Sequence, residues 1–199
     1  MLKNNFYILC EKFTTNNKFT KKLWNEIELS HSNKNRYYHT LSHLENIYTE
    51  LNIFQLSHIV EFAIFYHDII YNIQKKDNEE KSAILAVKRL TELGLSDTSI
   101  NKIYQLILET KNHQSTSLEN SLFLDADLSI LGSKVEIYKK YIENIRKEYD
   151  IYSDKEYKSG RKKIIKEFLT KNRIYISNYF YTLYEEQARK NLEDELKLL

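Results

Sequence analysis

The most constraining feature of this chain is its lack of the residues that make tight turns. Its 199 residues include no proline and only three glycines, Gly94, Gly132 and Gly160. Folds rich in β-hairpins need such residues in quantity, because they supply the backbone angles that tight turns require. We therefore predict an all-α protein that forms a single helical domain over residues 1–199.

Apolar residues recur every three and four positions along most of the chain, as in Ile84, Val87 and Leu90, and this period indicates helices with one buried face. Gly94 and Gly132 are predicted to end helices in the left-handed conformation. Four pairs have the spacing of a capping box, which marks a helix start: Asp77 with Glu80, Ser133 with Glu136, Ser153 with Glu156, and Thr182 with Glu185. The predicted bundle has nine helices, or ten if the first is counted: 4–14, 18–30, 41–54, 57–73, 78–93, 97–112, 119–131, 134–150, 154–170 and 183–198.

The composition excludes several classes of function. Thirty Lys and Arg against 28 Asp and Glu give a net charge of +2, so no strong field favours nucleic acid or a membrane as partner. The single cysteine, Cys10, excludes an internal disulfide and a thiolate zinc site, and it fits a reducing compartment. No signal peptide and no apolar run of about 18 residues is found, so we expect a cytoplasmic protein.

Two histidine motifs stand out. His39 and His43 are four residues apart, so on a helix they would share a face. His67 and Asp68 lie in the most apolar predicted helix, where an imidazole and a carboxylate are costly to bury without a partner. A cation is one such partner, and a structural His-Asp pair that bonds a neighbouring helix is the alternative.

A second acidic motif follows further along the chain. Asp125 and Asp127 interrupt an otherwise apolar segment, which suggests metal binding or catalysis, with an N-cap role for one of them as the alternative. His113 either continues the inner face of the predicted helix 97–112 or interacts with the last carbonyls of that helix. Two imidazoles and two carboxylates together suit a divalent ion such as Mn, Zn, Fe, Co, Ni or Mg.

The order His43, then His67-Asp68, then Asp127 resembles that of the HD superfamily of metal-dependent phosphohydrolases, which are all-helical. Tyr38-His39-x-x-x-His43 is similar to the first motif of the cyclic-nucleotide phosphodiesterases in that superfamily. Thr40 stands where those enzymes carry Asn, so a cyclic-nucleotide substrate does not follow. Further blocks resemble a subgroup of bacterial predicted HD phosphohydrolases: 36–39, 65–71, 77–83, 110–113, 125–128, 146–149, 160–161 and 188–192.

The resemblance implies a role for each matching residue. The metal ligands would be His43, His67, Asp68 and Asp127, with Asp68 also in the catalytic set. His39 would protonate the leaving group. Three arginines are candidates to hold the phosphate, since the guanidinium fork matches phosphate oxygens: Arg36, Arg146 and Arg161. A second metal or an outer hydrogen-bonding shell would involve His113, Asp125 and Glu79, although Asn112 replaces the first of the two adjacent histidines that two-metal members carry.

The expected function is hydrolysis of a phosphate ester or anhydride of a small molecule, nucleotides included, by a metal-activated water. One alternative is a non-catalytic HD-type module that binds a nucleotide as a sensor. A di-iron oxygenase is a second alternative, disfavoured because that chemistry needs more histidines than this chain offers. A homo-oligomer is compatible with the sequence.

Overall fold

The computed structural model describes residues 1–199 and contains ten α-helices and no β-strand, which confirms the all-α prediction. The helices are α1 (Leu2–Glu11), α2 (Asn17–His31), α3 (Leu41–Glu50), α4 (His58–Tyr66), α5 (Asn78–Leu93), α6 (Asp97–Glu109), α7 (Leu118–Asp127), α8 (Val135–Glu148), α9 (Asp154–Thr170) and α10 (Asn178–Leu198). A short 3₁₀ helix, Ser129–Gly132, lies between α7 and α8. The backbone groups into two compact units, residues 1–124 and 125–199.

The first unit is organised around α4. This helix is apolar on nearly every side, and it packs against α3, α5 and α6 because a helix without a polar face must be covered all round. Phe62 and Phe65 on α4 pack edge-on against Phe6 of α1, and Phe65 also contacts Trp24 of α2. No helix of the protein is both long enough and apolar enough to span a bilayer.

One of the four predicted capping boxes forms in the structure. The Ser153 hydroxyl accepts the Glu156 N–H, and the Glu156 carboxylate accepts the Ser153 N–H, so the box at α9 is confirmed. The box at Ser133 is wrong, since α8 begins after Lys134 without a side-chain cap. Asp77 is the residue before α5, but it forms an ion pair with Lys81 rather than a capping hydrogen bond.

The start of α10 was also predicted in the wrong place. The helix begins five residues earlier, where the Ser177 hydroxyl accepts the N–H of Phe180. The carboxylate of Glu185 accepts the N–H groups of Ile174 and Tyr175 instead of closing a box with Thr182. Contacts distant in sequence therefore override the local spacing.

Gly94 and Gly132 are required to be glycine for different structural reasons. Gly94 has φ 97° and ends α5 in the left-handed conformation, as predicted. Gly132 is not left-handed, so that prediction is wrong. A Cβ at Gly132 would lie 2.5 Å from Cβ and 2.7 Å from the carbonyl oxygen of Tyr184, so this position needs glycine because α10 approaches it closely.

A buried ion pair organises the second unit. The Arg161 guanidinium on α9 donates to both carboxylate oxygens of Glu195 on α10, at 2.7 and 3.0 Å, and Tyr138 of α8 donates its hydroxyl to the same carboxylate at 2.6 Å. Arg161 and Glu195 are 8% and 3% exposed. The pair joins three helices through groups that would be costly to bury alone.

Candidate metal centre

The candidate site lies where α4 ends. The sequence predicted one helix from 57 to 73, but α4 stops at Tyr66 and His67 is its C-cap, so the predicted helix is too long. Two side chains form hydrogen bonds with backbone groups that a longer helix would have paired internally. The Arg36 guanidinium donates to the carbonyls of Asp68 and Ile69, and the Ser82 hydroxyl bonds both the N–H and the carbonyl of Ile70.

His39 and His43 approach from the start of α3. Thr40 is the N-cap of this helix, so His43 lies in its first turn and His39 lies in the turn before it. The prediction that both histidines share one helical face is therefore wrong for His39. They still lie side by side, with ring centroids 5.7 Å apart.

Three of the predicted ligands converge. The Nε2 atoms of His43 and His67 are 3.3 Å apart, and the Asp68 Oδ2 atom lies 3.9 Å from the first and 3.3 Å from the second. The side chains of His43 and His67 are 3% and 2% exposed, against 19% for Asp68. His43, His67 and Asp68 thus form a group with the composition and spacing to hold a metal ion.

The geometry of this triangle fits a metal ion closely. A point about 2 Å from all three atoms exists, and this matches the length of a bond from zinc or a similar ion to nitrogen or oxygen. The Nδ1 atom of His67 lies 3.0 Å from the carbonyl oxygen of Ile64. Because only an N–H can donate to that oxygen, the neutral ring presents the Nε2 lone pair to the group, as in known metal sites.

The electrostatics of the group favour the ionised form of Asp68. Burial by itself would raise the pKa of Asp68, but the positive charge that His67 and, more weakly, His39 and His43 carry when protonated outweighs it and holds the pKa well below its usual range. Asp68 is therefore a carboxylate at neutral pH. A partly enclosed carboxylate between two buried imidazoles is suited to binding a divalent cation.

His39 lies beside the group without belonging to it. Its Nε2 atom is 4.0 Å from the Asp68 Oδ2 atom, and 19% of its side chain is exposed. Its ring stacks on Tyr71, with centroids 4.2 Å apart and planes at 29°, and it meets the ring of Tyr38 edge-on. These two contacts fix the orientation of the imidazole.

The three arginines predicted to bind substrate all make structural contacts. Arg36 donates to the three backbone carbonyls of His39, Asp68 and Ile69. Arg146 donates to Asp154 and to the carbonyls of Tyr149 and Tyr152, within the second unit. Arg161 forms the buried pair with Glu195. Substrate binding by these residues stays a prediction.

The other predicted residues are not members of the three-residue group. Asp127 is the last residue of α7, half-buried, in the second unit, and its role as a ligand stays a prediction. The carboxylate of Asp125 is buried and accepts the N–H groups of residues 176 and 177, each at 2.7 Å, which secures the segment before α10. His113 follows α6 with φ 50°, and Glu79 in the first turn of α5 pairs with Lys111 at 3.8 Å.

Sequence reasoning missed one residue of the site. Ser82 is fully buried on α5 and bonds the backbone just after Asp68. Its signals were a polar residue on the inner face of a helix and its place in the block 77–83. Neither signal identifies its partner.

Comparisons with known proteins do not identify a family for this chain. The chain matches no protein-family model, no curated protein and no solved structure.

Proposed function

We propose that this protein is a metal-dependent phosphohydrolase of the HD type, which acts on a phosphate ester or anhydride of a small molecule. The observation that carries the proposal is the triangle of ligand atoms from His43, His67 and Asp68, with His39 beside it. Two imidazoles and one carboxylate leave coordination positions for water and substrate, as catalytic metal sites require. The lone buried Cys10 suits the reducing cytoplasm, where we place the protein.

Each residue has a role in the proposed reaction. A divalent ion held by the group would polarise a phosphoryl oxygen and acidify a water molecule. Asp68, ionised at neutral pH, suits both a ligand and a base that takes a proton from the attacking water. His39 is assigned as the acid that gives a proton to the leaving oxygen as its bond to phosphorus breaks. Its stack on Tyr71 keeps the ring aimed at the group.

Metal content is the first test. Protein purified without chelator is analysed for bound metals, alongside His67→Ala and Asp68→Ala, and both variants are expected to lose the metal that the parent protein holds. His58→Ala is the matched control, because this half-buried histidine of the same unit bonds Ser99 rather than the group. Equal metal content in all four proteins, or none in the parent, would contradict the proposal.

Turnover is the second test. Phosphate monoesters, diesters, nucleotides and anhydrides are assayed with added Mn²⁺, Co²⁺, Ni²⁺ or Mg²⁺, and release of phosphate or of the free alcohol is expected for at least one class. A metal-loaded protein that hydrolyses none of them, but melts at a higher temperature with a nucleotide, would instead favour the sensor.

A further inference from the structure

The segment from Asp68 to Tyr71 has left the helix that precedes it, and one distant arginine holds it in place. Arg36 Nη1 donates to the Asp68 carbonyl at 2.7 Å and to the His39 carbonyl at 3.2 Å. Arg36 Nη2 donates to the Ile69 carbonyl at 3.0 Å. One guanidinium therefore fastens the backbone of the candidate ligand and the backbone of the candidate acid to each other.

The same guanidinium also supports the ring that orients the acid. The Arg36 Cζ atom lies 5.3 Å from the centre of the Tyr71 ring, and the imidazole of His39 stacks on that ring at 4.2 Å. Arg36 thus acts on His39 twice, once through its carbonyl and once through Tyr71. These contacts need the planar fork of arginine, and a lysine ammonium cannot reproduce them.

We propose that Arg36 is a positioning residue, which sets the distance between His39 and Asp68 by clamping the two backbone segments that carry them. The inference rests on the proposed function for its catalytic consequence, and it replaces the expectation that Arg36 binds substrate. The hydrogen bonds from both terminal nitrogens to carbonyl oxygens turn the fork towards the backbone. An arginine that held a phosphate would present that fork to the ligand.

A second clamp on the same segment offers an independent check. The Ser82 hydroxyl accepts the Ile70 N–H at 3.1 Å and donates to the Ile70 carbonyl at 3.3 Å. It touches neither His39 nor the ligand atoms in these bonds. Ser82→Ala should therefore disturb the metal group in the same direction as a change at Arg36, and by less.

The experiment compares Arg36→Met and Arg36→Lys with the parent protein, with Co²⁺ alone as the probe. Arg36→Met is expected to weaken Co²⁺ binding by about 10- to 100-fold, the range for removing a residue that orients a metal ligand. The visible absorption of bound Co²⁺ should change, because the Asp68 oxygen is displaced. Arg36→Lys should not restore affinity or spectrum, since charge alone does not clamp three carbonyls.

The control is Arg89→Met. Arg89 belongs to the same unit and forms a two-point ion pair with Glu26 at 2.7 and 2.6 Å. Its removal should lower the melting temperature without changing the Co²⁺ spectrum. Equal effects of Arg36→Met and Arg89→Met on Co²⁺ binding would mean that Arg36 only stabilises the fold, which overturns the proposal.

Kinetics separate positioning from substrate binding. With an active substrate, Arg36→Met should lower kcat and leave KM within a few-fold, because the hydrogen bonds that it removes are those that align the reacting groups. A raised KM with an unchanged Co²⁺ spectrum would overturn the proposal and restore the substrate-binding prediction. If Arg36→Met does not fold, Arg36→Lys and Ser82→Ala provide the same readouts.

A parent protein that binds no Co²⁺ would refute the proposed function and leave the clamp to be tested by hydrogen exchange. Amides of residues 67–72 should then exchange faster in Arg36→Met than in Arg89→Met. Unchanged exchange in that segment would overturn the positioning role as well.

Discussion

Replacing His31 should change how the stability of the protein depends on pH. The side chain is 1% exposed, Nδ1 lies 2.9 Å from the Ile27 carbonyl oxygen, and Nε2 has no hydrogen-bond partner among the protein atoms. Burial, reinforced by the charge of Arg36, lowers the pKa of His31 from 6.5 to about 3. The folded protein therefore keeps this ring neutral.

The sign and size of the effect follow from proton linkage. Above a pH of about 6.5 both states carry a neutral ring, and the full stability is present. Below that pH the unfolded chain binds a proton at His31 and the folded chain does not. The free energy of unfolding therefore falls by about 1.4 kcal/mol for each pH unit until the folded pKa near 3 is reached. At a pH of about 5 the loss from this one residue is about 2 kcal/mol.

The assay is urea unfolding of the chelator-treated protein between about pH 8 and pH 5. His31→Asn keeps a donor for the Ile27 carbonyl, and His31→Phe keeps the ring volume, but neither side chain titrates. Both variants should lose about 2 kcal/mol less than the parent over this range, whatever their stability at neutral pH. Parallel curves for all three proteins would refute the inference that His31 is buried in its neutral form.

Three further outcomes are expected. His39→Gln should retain its metal and hydrolyse alkyl phosphates on the order of 10²-fold more slowly, with a much smaller loss on nitrophenyl esters, whose leaving group needs no proton; an equal loss on both would contradict the acid role. Gly132→Ala should destabilise the protein by about 1–3 kcal/mol, because the new Cβ would collide with Tyr184. Gly160 is exposed in α9 with no atom within 4 Å of the position that a Cβ would take, so Gly160→Ala should stabilise the protein by about 0.5–1 kcal/mol. Urea unfolding that gave both changes the same sign would refute this. Burial raises the pKa of Cys10 to about 12, so a disulfide reagent at about pH 8 should label it slowly until the protein is unfolded, and rapid labelling of the folded chain would show that the thiol is accessible.

The sequence was most informative where local physics decides the outcome. The scarcity of glycine and proline excluded hairpins, and the apolar period located all ten helices, with α5 and α9 matched at both ends. The capping box at Ser153 formed because its two partners are three residues apart and need no other element. The resemblance to the HD motif order picked out His43, His67 and Asp68 as ligands, and the structure brings these three side chains together.

Tertiary structure alone decided where α4 ends and how the site is shaped. The apolar pattern continues past Tyr66, so a local rule extends the helix to residue 73. Arg36, 32 positions before Asp68, supplies donors to the carbonyls there, and Ser82 supplies a hydroxyl 12 positions after Ile70. These contacts release Asp68 from the helix and turn its carboxylate towards His67, which periodicity cannot indicate because it describes one element at a time.

The roles of the arginines and of Gly132 have the same origin. The sequence indicates that a guanidinium is available to bind an oxyanion, but an arginine binds whichever oxygens the fold brings near it. For Arg36 these are backbone carbonyls, and for Arg161 they are the buried carboxylate oxygens of Glu195. For Gly132 the deciding neighbour is Tyr184, whose Cβ and carbonyl oxygen leave no room for a side chain. Residue type thus determined what chemistry was available, and packing between residues distant in the chain determined where it is used.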